Sequence, residues 1–285
     1  MNCLKRSVLV LVAAVALPLS GCLGGSGSSS SSSGGGAGGG GSQGGPSAGP
    51  GGLDDDLTAR ACDEQPIPRT GDTLERRYRF QFVDGFNDVD STLRVTSTMG
   101  DTVILGGAEV QRVDFETETL AGTGGAGPGT PSVAASAELR SRPAPYTVWQ
   151  HQMISEPDMV LTYEPPLINR FDLDEGQSYE FRTTATTTSP LLPAPSVVDL
   201  EVTTLYAGRE RISVPAGSIL TCLVERSQRT PGPGGAETQM SMRFWFAVGS
   251  GVLVRSELSS DSNSEARETL ELTAATFNGN AVEFF

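Results

Sequence analysis

The sequence predicts an all-β, antiparallel domain carried on a disordered tether. Three observations predict it. Apolar and polar residues alternate with period two in run after run between Tyr78 and Leu272. Clusters of Gly, Pro, Asn and Asp punctuate those runs, and no stretch carries a convincing helical stripe. Ahead of the strands lies a Gly/Ser tract that has too little apolar surface to offset the entropy of ordering it.

The chain opens with a short positive segment, Met-Asn-Cys-Leu-Lys5-Arg6, followed by an apolar run from Ser7 to Leu19. That run is too short to cross about 30 Å of hydrocarbon as a helix. Charge, then a short apolar core, then small residues is the order of a secretory signal, here residues 1–21. The segment ends in Leu19-Ser20-Gly21-Cys22, which resembles the bacterial lipobox. The resemblance implies cleavage before Cys22 and acylation, palmitate among the chains, on that cysteine. Each buried CH₂ contributes about 0.8 kcal/mol, so more than one chain anchors firmly. In lipoproteins of this kind an Asp after the cysteine favours inner-membrane retention. Leu23 stands there, which points to the outer membrane; the domain is expected to face the periplasm, with the cell exterior as the alternative.

Residues 22–52 form the lipidated tether, almost all Gly and Ser after the cysteine. A coil of that length has an r.m.s. span of about 30 Å and stretches to about 100 Å. No strand precedes its glycines and no Gly-Lys-Ser/Thr follows, so they are not a phosphate loop. The run Asp54-Asp55-Asp56 solvates its end.

Residues 53–285 are long enough for one large β domain or two small ones. The formal charge of −14 becomes −16 once Lys5 and Arg6 leave with the signal. An acidic surface argues against nucleic acid and against anionic headgroups. Cys3 leaves and Cys22 is acylated, so Cys62 and Cys222 remain. In an oxidising periplasm they pair as one disulfide, or else stay as two buried thiols.

Alternation places Tyr78, Phe80 and Phe82 on one face. The same holds for Leu93 with Val95, Val103 with Leu105, and Tyr179 with Phe181. Val198, Leu200 and Val202 follow, then Ile212 with Val214 and Leu270 with Leu272. These are half-buried antiparallel strands, about a dozen in all. Separators fall at 84–90, 100–101, 106–107, 164–166, 189–195, 215–217 and 249–251, among others. The stretches 121–137 and 228–237 read as long loops. TLRVTSTMGDTVILGGAEVQRVDF (92–115) can be laid over DLEVTTLYAGRERISVPAGSILTCLV (199–224), with Leu93 meeting Leu200 and Val113 meeting Cys222. Two similar units, 76–163 and 178–277, would then share one apolar face; a loose alignment of any two hairpins is the alternative.

RERISVPAGSILTCLVER, MRFWFAVGSGVLVRSEL, ETLELTAATF and YEPPLINRFDLDEGQSYEF together resemble a widespread class of uncharacterised bacterial envelope proteins. The resemblance covers roughly 160–277 well and 76–160 loosely. It implies a curved, open half-barrel or β-clam, similar to the lipoprotein carriers of the LolA/LolB kind, whose sheet cradles acyl chains. It implies turns and packing, and no catalytic residue.

Chemistry is sparse. His151 is the only imidazole and reads as a surface or loop-edge residue; no Gly-x-Ser-x-Gly elbow accompanies it. Asp84, Asp88 and Asp90, then Asp172, Asp174 and Glu175, lie in turn-like clusters without a complete calcium loop. No set of zinc ligands is spaced for a metal, and no cofactor is expected. The terminal Phe284-Phe285 resembles the end of an outer-membrane barrel, but several strands read as short, the signal resembles a lipoprotein one, and the tail is expected to tuck against the domain. The expectation is a non-enzymatic, membrane-anchored module that binds an apolar small molecule or acyl chain, lined by Phe80, Phe82, Trp149, Phe181, Phe244 and Trp245. A structural protein with an envelope partner at a sheet edge or loop is the alternative.

Overall fold

The structure is a computed structural model, and it describes residues 58–63, 69–84, 88–123, 133–155, 158–231, 237–260 and 263–284. The signal segment, Cys22, the tether and Asp54–Asp56 lie outside the described residues. So do Phe285 and the centres of the two long loops.

Among the described residues thirteen strands follow one another: β1 (Thr73–Val83), β2 (Asp88–Leu105), β3 (Ala108–Thr123), β4 (Val133–Ala144), β5 (Thr147–Ser155), β6 (Met159–Arg170) and β7 (Ser178–Thr188). Then come β8 (Ser196–Val214), β9 (Gly217–Pro231), β10 (Glu237–Ala247), β11 (Leu253–Ser260), β12 (Asn263–Phe277) and the short β13 (Asn280–Ala281). Each strand pairs with the next, and β12 returns to pair with β1. The expected open half-barrel or clam is therefore a closed barrel of twelve strands. Tyr78 sits between Leu93 on β2 and Leu272 on β12, and Phe80 between Ser91 and Leu270. Closure satisfies the backbone of β1 and β12, which an open sheet would leave as bare edges.

Other expectations shift with it. Gly100-Asp101 is a bulge inside β2 rather than a break. Val133–Ala137 belongs to β4 and Gln228–Pro231 to β9, so the long loops are shorter than read. Pro165-Pro166 lies within β6. The two stretches that align in sequence are the hairpins β2–β3 and β8–β9, six strands apart around the ring. Each carries a ladder irregularity, after Met99 and after Tyr206. At the second, Gly208 has φ +118°, and a Cβ there would lie 2.8 Å from the Glu175 side chain.

Because every strand reverses, the odd-to-even turns share one end of the barrel and the even-to-odd turns share the other. The chain enters at the end that holds the β4–β5, β6–β7, β8–β9 and β10–β11 turns, the near end. A 3₁₀ turn, Ala59–Cys62, is capped by Thr58 and lies there. Ala59 N–H donates to Leu173 O (2.9 Å), and Gly249 N–H to Ala61 O (2.7 Å). Asp63, its side chain fully buried, takes three bonds of 3.0–3.2 Å from the Arg142 guanidinium.

Inward-facing residues form three apolar clusters. One gathers Tyr78, Phe80, Phe115, Leu270 and Leu272, with Phe82 and the tail residue Phe284 packed on it. A second gathers Phe171, Tyr206, Phe244, Phe246 and both cysteines. A third gathers Met153, Tyr163, Leu200 and Val202, with Phe181 beside it. Burying such aromatic and aliphatic side chains is worth about 1.5–3 kcal/mol each. Tyr78 is fully buried and its hydroxyl donates to Leu253 O at 3.0 Å, which removes the cost of a stranded polar tip. Arg76, Arg140, Arg226, Glu138 and Glu268 are also buried.

Candidate functional site

The barrel wall has a seam. The β6–β7 ladder runs only from Val160–Thr188 to Glu164–Thr184. Beyond it, β6 pairs with β5 alone and Ser178–Thr183 with β8 alone. Pro165 and Pro166 bring no N–H to that edge. Side chains of β7 take over. The Thr183 hydroxyl donates to Pro165 O (2.5 Å), and the Tyr179 hydroxyl donates to Ile168 O (2.9 Å) and accepts from Arg170 N–H (3.3 Å). The Arg170 guanidinium lies 5.6 Å from the centre of the Tyr179 ring and forks onto Asp172 with two 2.8 Å bonds. Those bonds hold the Asp172 carboxyl below its ordinary pKa.

Behind the seam lies a recess. Phe171, Phe244, Phe246 and Val224 wall it; Asn169, Thr204 and Arg226 form its polar side. It holds about 20 Å³ of water-accessible space, room for roughly one water. Arg226 is 8% exposed. Its Nε donates to Thr204 Oγ1 (3.3 Å) and its Nη2 to Asn169 Oδ1. Asn169 is 5% exposed and its Nδ2 has no hydrogen-bond partner. Burial pushes the nearby Tyr163 phenol up; Glu138 adds to that and Arg226 opposes it.

The six aromatic residues expected to line one cavity do not meet. Phe80 and Phe82 belong to the first cluster, Phe244 to the second, and Phe181 packs on the third and stacks on Tyr179 at 6.0 Å. Trp149 and Trp245 lie on the opposite face of their strands, since Val148, Gln150, Phe244 and Phe246 occupy the inward positions. Trp245 is covered from outside: its Nε1 donates to Glu210, and Arg255 sits 5.3 Å from its ring centre. Of the six, only Phe244 lines the recess.

The Cys62 and Cys222 sulfurs are joined, 2.15 Å apart, across a Cα separation of 6.1 Å. Cys22 lies outside the described residues. His151 is in mid-strand at the β5 bulge rather than at a loop edge, half-buried, with its Nε2 2.8 Å from Ser141 Oγ. Desolvation lowers its pKa, and no carboxylate among the described residues bonds it. Asp90 pairs with Arg79 and Asp172 with Arg170. Among the described residues no three potential metal ligands converge.

Sequence reasoning passed over Tyr179 as a seam residue, and over Asn169 and Arg226. The signal for Arg226 was alternation itself: Cys222, Val224 and Arg226 share one face, so a charge sits in an inward row.

No family model and no curated protein matches the chain. Three solved structures resemble it at low similarity. A candidate exported protein with a YmcC-like fold from Bacteroides fragilis has 9% identity and a TM-score of 0.42, over 73% of this chain and 96% of that one. A candidate lipoprotein from Parabacteroides distasonis has 14% identity and a TM-score of 0.41, over 78% and 100%. The hypothetical lipoprotein YmcC from Escherichia coli has 10% identity and a TM-score of 0.34, over 78% and 90%. Likenesses this distant carry no inference about ligand or activity.

Proposed function

We propose that the chain is a non-enzymatic lipoprotein of the bacterial cell envelope, whose barrel presents its far end to an envelope protein partner. Leu19-Ser20-Gly21-Cys22 supports the export and the outer-membrane anchor, and the Gly/Ser tract that follows supports a domain that stands off the bilayer on the periplasmic side. The observation that carries the partner is the distribution of exposed apolar side chains. Of the eight large ones exposed among the described residues, six lie towards the far end: Val83, Leu120, Val133, Leu191, Leu192 and Val197. Apolar surface gathered at one end marks an interaction site better than the same residues scattered singly. The first described residues, Thr58–Asp63, lie at the near end, so this rim is at the opposite end of the barrel.

A photo-crosslinking residue placed at Leu191 in the cell, with Ile104 of the near end as the control, tests the reading. One protein captured from Leu191 and not from Ile104, and lost when Leu191 and Leu192 become Ser, supports it. Equal capture from both ends rejects it.

A second reading, binding of an apolar molecule or acyl chain, is favoured by the phenylalanines around the recess. Native mass spectrometry of the protein from membranes, followed by organic extraction, reads it as a near-stoichiometric adduct.

A further inference from the structure

Arg226 carries a full positive charge behind the seam, and both side chains it bonds, Thr204 and Asn169, are neutral. No carboxylate among the described residues is bonded to it. Desolvating a guanidinium without a counter-charge is expensive. Asn169 adds a second demand. Its Oδ1 is used by Arg226, so its Nδ2 is a buried donor without an acceptor. Of the three buried acids among the described residues, Asp63 is taken up by Arg142. Glu138 has bonding partners of its own, and Asp172 at the mouth is taken up by Arg170. The recess is thus rich in donors, positive, and walled by phenylalanine.

We propose that the recess behind the β6–β7 seam is a carboxylate-binding site. The ligand's oxygens accept from the Arg226 guanidinium and the Asn169 amide, and its apolar substituent leaves through the seam against Phe171 and Phe244. A carboxylate matches the planar donor fork of arginine, which a rounder anion does not. The recess now holds room for about one water. The head group therefore displaces that volume, and Tyr179 lets go of Ile168 and Arg170 to admit the rest. Such a ligand is a free acyl chain or an apolar protein C-terminus; both present the same group. The inference rests on the recess being a binding site, the second reading above, and is independent of the far-end partner.

The test uses the whole lipidated chain in phosphatidylcholine nanodiscs, with empty discs as the blank. Fluorine NMR follows titration with 4-fluorophenylacetate and with its neutral amide of the same shape. The expected result is that the acid binds about tenfold more tightly than the amide. Asn169→Asp places a carboxylate beside Arg226 and abolishes that preference without lowering the melting temperature; R226Q abolishes it too. Displacement of the acid by decanoate assigns an acyl chain, and displacement by N-acetyl-Ala-Ala-Phe assigns a protein C-terminus. Equal binding of acid and amide overturns the carboxylate and leaves the recess as an apolar site. Binding of neither overturns both. An acid preference that survives Asn169→Asp places binding elsewhere and overturns the assignment.

Discussion

The Tyr179 hydroxyl lies 2.9 Å from the carbonyl oxygen of Ile168 and does for two strands what a backbone ladder does elsewhere in the barrel. It also takes the Arg170 N–H at 3.3 Å. With the Thr183 hydroxyl on Pro165 O, this phenol closes a gap that β6 and β7 leave open.

Tyr179→Phe removes both bonds and keeps the ring. The expected loss is about 1–2 kcal/mol of stability, two neutral hydrogen bonds at ordinary strength. Urea unfolding reads the loss, and amide exchange reads where it falls: Leu167–Arg170 should exchange faster, while β1 and β12 keep their protection. Uniform acceleration would mean that the seam is no separate weak point.

Glu268 makes stability depend on pH. Burial pushes its carboxyl up to about 7 from an ordinary 4.5. Between those values the folded protein holds a proton that the unfolded chain has lost, so stability falls as pH rises through that window. The penalty, complete above about pH 7, is on the order of 3 kcal/mol. Glu268→Gln should match the wild type near pH 4.5 and exceed it by up to that amount at pH 8. Parallel stability curves across this range would contradict the assignment.

Arg142 and Asp63 tie the entering chain to β4. The Asp63 side chain is fully buried, so Arg142→Ala leaves an uncompensated charge and should cost about 3–5 kcal/mol. Replacing both, with Asp63→Asn beside Arg142→Ala, should recover much of the loss. A double mutant as unstable as the single one would show that the pair's packing, and not its charge, matters.

The Cys62–Cys222 bridge closes a loop of sequence separation 160. Reduction, or substitution of both cysteines by Ala, should lower stability by about 2–5 kcal/mol. Melting with and without reductant measures it directly. Identical curves for a sample shown to be oxidised would leave the bridge without a stabilising role.

Much of this barrel is written locally, and some of it is not. Period-two alternation shows that Tyr78 and Phe80 share a buried face, because neighbours two apart on a strand must do so. The same rule already sets Trp245 against Phe244, so both tryptophan and phenylalanine could never have lined one cavity. Closure is different. Tyr78 meets Leu272 across nearly the whole domain, and no local pattern distinguishes a strand at an edge from one that finds a distant partner. The seam depends on where a ladder stops, and Pro165-Pro166 hinted at that, though as an apparent turn rather than as a strand lacking donors. Arg226 was legible as a charge in an inward row. That its partners are neutral required the fold.

The cross-link decides how the domain bears load. A pull on the chain ahead of Ala59 would, without the bridge, run on to Thr73 and load β1 between β2 and β12. With Cys62 joined to Cys222, the pull passes also into β9, which β8 and β10 grip along most of its length. A domain pulled by the chain ahead of Ala59 would thus be held through β9 as well as through β1, two strands far apart around the ring.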